Sequence, residues 1–195
     1  ARNPQLDNAL ARLKKDVVSS PGATFELGRW MLSSVPHPEA VQWLERLPDS
    51  LRTNVPVAMV VADGYLAVTN WARLNSTIEK QQWGEYEFMR YTFVSRALRE
   101  QGMAAAFKTH WGLALKATEG RLERLVPLQR LMAAWNWTSE LEETLWVIVG
   151  KYPSEKGAVA ALATILSATG NTRSLMALMA QESKLDPKNL EYRNN

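Results

Sequence analysis

The chain contains no cysteine and only two histidines. Disulfides, thiolate metal sites and cysteine nucleophiles are therefore excluded, and most histidine-dependent catalytic and metal schemes go with them. Long apolar runs are missing too. The longest, VPVAMVVA at 55–62, contains Pro56 and is far short of the ~20 residues a membrane-spanning helix needs. The opening ARNPQLDNALARLKKD lacks the apolar centre of a secretory leader. A start without Met and a finish at Asn194-Asn195 lead to the expectation that this is an excised piece of a longer protein, so compartment and oligomeric state stay open.

What is present is a folded, helical chain. Apolar residues make up 46% of the 195 and charged residues 22%, too apolar for a disordered segment. The net charge of +3 is too weak a field to point by itself to nucleic acid.

Helix-breaking positions recur at a fixed interval. Pro36, Thr69, Gly102, Asn136 and Gly170 are spaced by 33, 33, 34 and 34 residues, and Pro153 and Pro187 also lie 34 apart. Between these breaks apolar residues recur at three and four. Ahead of them stand Ala58, Val61, Ala62 and Tyr65, then Tyr91, Val94 and Leu98, then Leu125, Leu128 and Met132, then Val159, Leu162, Ala163 and Leu166. Behind them run Leu74 and Ile78, then Phe107, Trp111, Ala114 and Leu115, then Leu141, Leu145 and Ile148, then Leu175, Leu178 and Met179. Each set is one helical face. The unit is two antiparallel helices joined by a tight turn, and such pairs bury their apolar sides only by stacking on one another. The eight tryptophans, Trp111 among them, suit that packing role.

Ahead of the regular pairs, residues 1–20 read as an amphipathic helix with Leu6, Leu10, Leu13 and Val17 on one side, and 22–53 as an irregular first hairpin. Pairs follow at 55–87, 88–121, 122–155 and 156–187, and 188–195 would begin a further helix. Thr138, Ser154 and Thr172 are expected N-caps. Pro127 falls inside a helical stripe, so that helix either starts late, near Arg124, which is the expectation favoured, or kinks there.

This spacing, with Gly or Asn at the turn and Pro after the second helix, resembles the tetratricopeptide repeats, and segments 122–153 and 156–187 match best. The small residue expected in the first helix is Ala62, Ser95 and Ala163, but Gln129 in the fourth case. The one expected early in the second helix is replaced by Leu74, Phe107, Leu141 and Leu175. The resemblance implies an all-α, right-handed α-solenoid of stacked antiparallel pairs over 1–195. It also implies a concave surface lined by the first helix of each pair. Met59, Asp63, Met89, Thr92, Arg96, Arg99, Val126, Arg130, Ala160 and Thr164 would then face a partner-binding groove. The Lys/Asn set with which chaperone-binding members of the family clamp a peptide terminus is not reproduced.

Residues 88–130 carry Arg90, Arg96, Arg99, Lys108, Lys116, Arg121, Arg124 and Arg130 against Glu100, Glu119 and Glu123, whereas 131–155 carry Lys151 against Glu140, Glu142, Glu143 and Glu155. Arg96 and Arg130, 34 apart, could receive the carboxylates of an acidic peptide. His37 and His110 sit in no catalytic motif, and Glu140, Glu142 and Glu143 suit a helix start better than a metal site. The function expected is a non-catalytic scaffold that binds a peptide or helix of another protein. No enzyme activity, catalytic residue, metal or cofactor is expected, nor membrane insertion by this segment. The alternative is a helical-repeat nucleic-acid binder, disfavoured because basic residues do not recur on every first helix.

Overall fold

The computed structural model describes residues 4–185, all of whose regular structure is helical. The further helix expected from residue 188 lies outside them. In chain order the helices are α1 (Pro4–Asp16), α2 (Pro21–Ser34), α3 (His37–Glu45), α4 (Asp49–Arg52), α5 (Val57–Ala67), α6 (Trp71–Ile78), α7 (Glu87–Glu100), α8 (Ala104–Ala117), α9 (Leu122–Ala134), α10 (Thr138–Lys151), α11 (Lys156–Ala168) and α12 (Thr172–Leu185). Short 3-10 turns occupy Val17–Ser19 and Gly84–Tyr86. The chain forms two compact units, one up to Ala114 and the other from Leu115.

Four of the five periodic breaks use one backbone device, and Pro36, with φ of −54°, does not. Thr69, Gly102, Asn136 and Gly170 have φ of 53°, 73°, 56° and 68°, the left-handed region. In each turn the amide of the following residue donates to a carbonyl five residues back: Asn70 to Tyr65, Met103 to Leu98, Trp137 to Met132 and Asn171 to Leu166, all at 2.9 Å. The turn residue's own amide donates three back, to Leu66, Arg99, Ala133 and Ser167, at 3.0–3.1 Å. This double bond satisfies carbonyls that a helix end would otherwise leave unpaired, and the left-handed residue reverses the chain. The next helix starts at once, as Leu74, Phe107, Leu141 and Leu175 donate back to Asn70, Met103, Trp137 and Asn171.

Burial follows the same register. Tyr65, Leu98, Met132 and Leu166, which supply the accepting carbonyls, are all buried, as are Val61, Val94, Leu128 and Leu162 one turn earlier. In the first unit α2 and α5 approach closely through glycine: a Cβ on Gly28 would lie 3.0 Å from a Val60 methyl. Leu10, Met31 and Ala40 form a core there with Leu27, Leu32, Val35 and Trp43 packed around it. In the second unit Leu125, Leu145, Ile148, Val149, Val159, Leu162, Leu166 and Leu178 form one continuous core. Trp83, Trp111 and Trp137 are buried, while Trp30 is 42% exposed.

Five local expectations are corrected. Pro127 lies inside α9, which begins at Leu122 rather than near Arg124. The ring removes the amide that would have reached the carbonyl of Glu123 and crowds that carbonyl, yet the helix continues through it. All three expected N-caps are off by one residue, at α10 and α12 because the left-handed turn hands over directly to the next helix: Asn171 caps α12 by accepting from the Ser174 amide at 3.2 Å, as Asn70 caps α6 from the Arg73 amide. Trp137 precedes α10 with no side-chain cap, and Glu155, not Ser154, precedes α11. Leu13, expected on the packed side of α1, is 49% exposed, since α1 buries Leu10 instead.

Candidate functional site

The shared turn fixes the rotational register of each first helix, so residues 33 or 34 apart take the same place on successive pairs. Two such columns matter. One is Met59, Thr92, Val126 and Ala160; the other, one turn on, is Asp63, Arg96, Arg130 and Thr164. The neighbouring columns are the buried ones described above, so these two form the boundary between core and solvent.

In the first unit, Met59, Asp63, Met89 and Arg96 are half-buried and Arg99 is exposed. Thr92 is a correction. It is fully buried and its hydroxyl donates to the Phe88 carbonyl at 2.7 Å, so it presents nothing to a ligand. Burial pushes the Asp63 carboxyl up from 3.8 to about 6, with the positive Arg29 pulling the other way. The Arg96 guanidinium pairs with Glu100 at 3.2 Å and stands 5.5 Å over the Trp71 ring, so α6 and α7 together hold it. Arg99 stands 5.2 Å over the Phe107 ring.

In the second unit Val126 is half-buried, and Arg130, Ala160 and Thr164 are exposed. Arg130 has no ion-pair partner among the described residues. The Thr164 hydroxyl donates to the Ala160 carbonyl at 2.9 Å.

Part of the basic surplus of residues 88–130 is taken up by neighbouring acids and carbonyls. Arg90 is 6% exposed and binds the Glu87 carboxylate through Nε and Nη2 at 2.8 and 2.6 Å. It also donates to the Glu79 carbonyl at 2.8 Å and stacks 4.3 Å over Tyr91. That side chain ties the end of α6 to the start of α7, a structural role that sequence reasoning missed. Glu87 three residues before Arg90 was the available signal, because that spacing puts both on one face of a helix. Arg121 and Arg124 pair with Glu119 at 3.2 and 3.3 Å, and Arg124 also donates to the Ala117 carbonyl. Arg99, Lys108, Lys116, Arg121 and Arg130 are exposed.

His110 and Glu142 bond within their own helices. The His110 Nδ1 lies 2.9 Å from the Ala106 carbonyl and its ring 6.3 Å from that of Tyr91. Glu142 accepts from the Trp146 indole at 3.4 Å. Among the described residues no cluster of three or more His, Asp or Glu side chains could hold a metal ion, and none of their helices is long and apolar enough to cross a membrane.

Helix pairs, a 33–34-residue register and one recurring turn define an all-α fold of repeated helix pairs. No protein-family model matches the chain, and no curated protein matches it. Among solved structures it is similar to the crystal structure of YrrB, described as a TPR protein with an unusual peptide-binding site. The TM-score is 0.48 and the identity 8%, over 94% of this chain and 95% of that one.

Proposed function

We propose that the chain is a non-catalytic protein-interaction scaffold, and that the solvent side of the first helices of its pairs binds a peptide or helix of another protein. In the first unit the surface consists of Met59, Asp63, Met89, Arg96 and Arg99. In the second it consists of Val126, Arg130, Ala160 and Thr164. The observation that supports the reading is the register. The same helical place, next to a buried column on every pair, carries a side chain able to make a directed polar contact: Asp63, Arg96, Arg130 and Thr164. These heads sit on helices rather than loops, so the backbone that carries them loses little freedom on binding.

The arginines favour an acidic partner. Arg130 is exposed and supplies an uncommitted fork of donors to a carboxylate. Arg96, already tied to Glu100, would exchange or share that partner.

The test is a panel of fluorescein-labelled acidic and neutral 12-residue peptides, titrated against the chain by fluorescence polarisation. Acidic members bind, and Arg130→Glu weakens them at least tenfold with the melting temperature unchanged. Equal affinity for the wild type and the variant would remove Arg130 from the site, and binding that ignores peptide charge would remove the acidic preference.

A further inference from the structure

Of the eight tryptophans only Trp30 is exposed, at 42%. It lies on α2, and the register says which place it holds there. The buried residues of α2, Thr24, Gly28 and Met31, each have a buried counterpart 33 residues on, at Val57, Val61 and Gly64 of α5. The turn after α2 differs from the later ones, but the rotational setting of the helix does not. Trp30 therefore stands where α5 has Asp63, and Glu26 where it has Met59. These are the two columns that border the solvent on the later first helices, so α2 extends both by one helix.

α2 and α5 run side by side in the same direction. Gly28 faces Val60, whose methyl carbons would lie 3.0 and 3.1 Å from a Cβ on the glycine, and one turn on Leu32 would come within 3.9 Å of a Cβ on Gly64. With a rise of ~1.5 Å per residue, Trp30 and Asp63 sit at nearly the same height on adjacent helices. Glu26 lies one turn before Trp30, and Met59 one turn before Asp63. An exposed indole, a half-buried thioether and two carboxyls thus share one face of the first unit. Neither carboxyl closes an ion pair among the described residues. Arg29 attracts Asp63, but its guanidinium stands 5.6 Å over the Phe25 ring. Even with Arg29 counted, the face keeps one negative charge in surplus.

We infer that this face is a subsite for an arginine side chain of the bound peptide, which stacks on the Trp30 indole, lays its stem along Met59 and brings its guanidinium to Asp63 and Glu26. The inference rests on the reading of the first helices as a peptide-binding surface and adds a second chemistry to it. On α7, Arg96 and Arg99 suit an acidic residue of the peptide; the α2–α5 face suits a basic one. Among aromatic rings an indole attracts a cation most strongly. A planar guanidinium can stack there and still direct two N–H groups at a carboxylate, which an ammonium cannot do.

The probe is a labelled neutral eight-residue peptide with one central arginine, set against the same peptide with citrulline, which keeps the shape and loses the charge. Each is titrated into the full chain at pH 7.5. Fluorescence polarisation reads affinity. Indole NMR reads the place of binding, with the Trp30 signal assigned from its loss in Trp30→Phe. The expected result is a saturable shift of the Trp30 signal by the arginine peptide and affinity for citrulline at least tenfold lower. Asp63→Asn, which removes a charge and keeps the volume, weakens the arginine peptide at least fivefold. Trp30→Ala, at an exposed position, gives a similar loss and serves if Asp63→Asn does not fold. A Trp30 signal that the arginine peptide does not move, equal affinity for the two peptides, or binding indifferent to both variants overturns the subsite. Acidic peptides that bind while the arginine peptide does not would overturn it and leave the arginine-bearing surface standing. The reverse pattern supports the subsite and removes that surface.

Discussion

Asp63 is the one side chain on the candidate surface whose charge works against the fold. Its carboxyl is half-buried on α5 and titrates near 6, against 3.8 for the free group, because desolvation outweighs the attraction of Arg29. The folded state therefore holds the proton more tightly than the unfolded one. By linkage, Asp63 costs nothing below about pH 4, costs progressively more as pH rises from 4 to 6, and exacts its full penalty above that. A gap of about two units sets an upper limit of ~3 kcal/mol at neutral pH. Asp63→Asn should accordingly raise the free energy of urea unfolding at pH 8 by roughly 1–3 kcal/mol, and the gain should vanish at pH 4. A gain that is the same at both pH values would mean that the carboxylate is solvated. A partner that brought a basic side chain to Asp63 would relieve the same penalty, so binding there would strengthen above pH 6.

The turns show which parts of the fold can be read from a sequence and which cannot. Thr69, Gly102, Asn136 and Gly170 were recognisable as breaks by spacing alone, because a left-handed residue must recur wherever the hairpin recurs. That Thr69 adopts φ of 53° was not legible, since threonine carries no signature of that region and pays for its branched side chain there. A side chain at Gly102 or Gly170 would meet no atom within 4 Å, so replacing either glycine tests backbone cost without steric clash. Gly102→Ala should destabilise by about 1 kcal/mol and Thr69→Gly should stabilise by a similar amount, both read by thermal melting. Opposite signs at equivalent places in two pairs would show that the four turns do one job; matching signs would separate them. The N-caps slipped by one residue for the same reason, because the expected Thr138 and Thr172 follow the handover residue that the turn itself specifies.

For the molecule as a whole, the repeat period and the helical faces were legible, because stacking demands both. The fate of the charges was not. Counting eight basic residues over 88–130 suggested a basic patch, yet Arg90 is spent on Glu87 and two carbonyls, and Arg121 and Arg124 on Glu119. Burial and ion pairing depend on which helices meet, and composition carries no record of that. The same accounting separates the two kinds of partner weighed from the sequence. A nucleic-acid binder that neutralises six to ten phosphates loses roughly 10³–10⁵ in affinity between 50 and 200 mM salt. The exposed cations of the 88–130 stretch, Lys108, Lys116 and Arg130 with the ring-stacked Arg99 and the Glu119-paired Arg121, fall short of that range. A peptide held by apolar contacts and one or two arginines should lose less than about tenfold over the same range, since only those few ion pairs are screened. Titration of the best acidic peptide at 50, 100 and 200 mM salt gives the slope directly. A shallow slope that flattens further in Arg130→Glu is the expected result, and a loss of a thousandfold would transfer the surface to a polyanion.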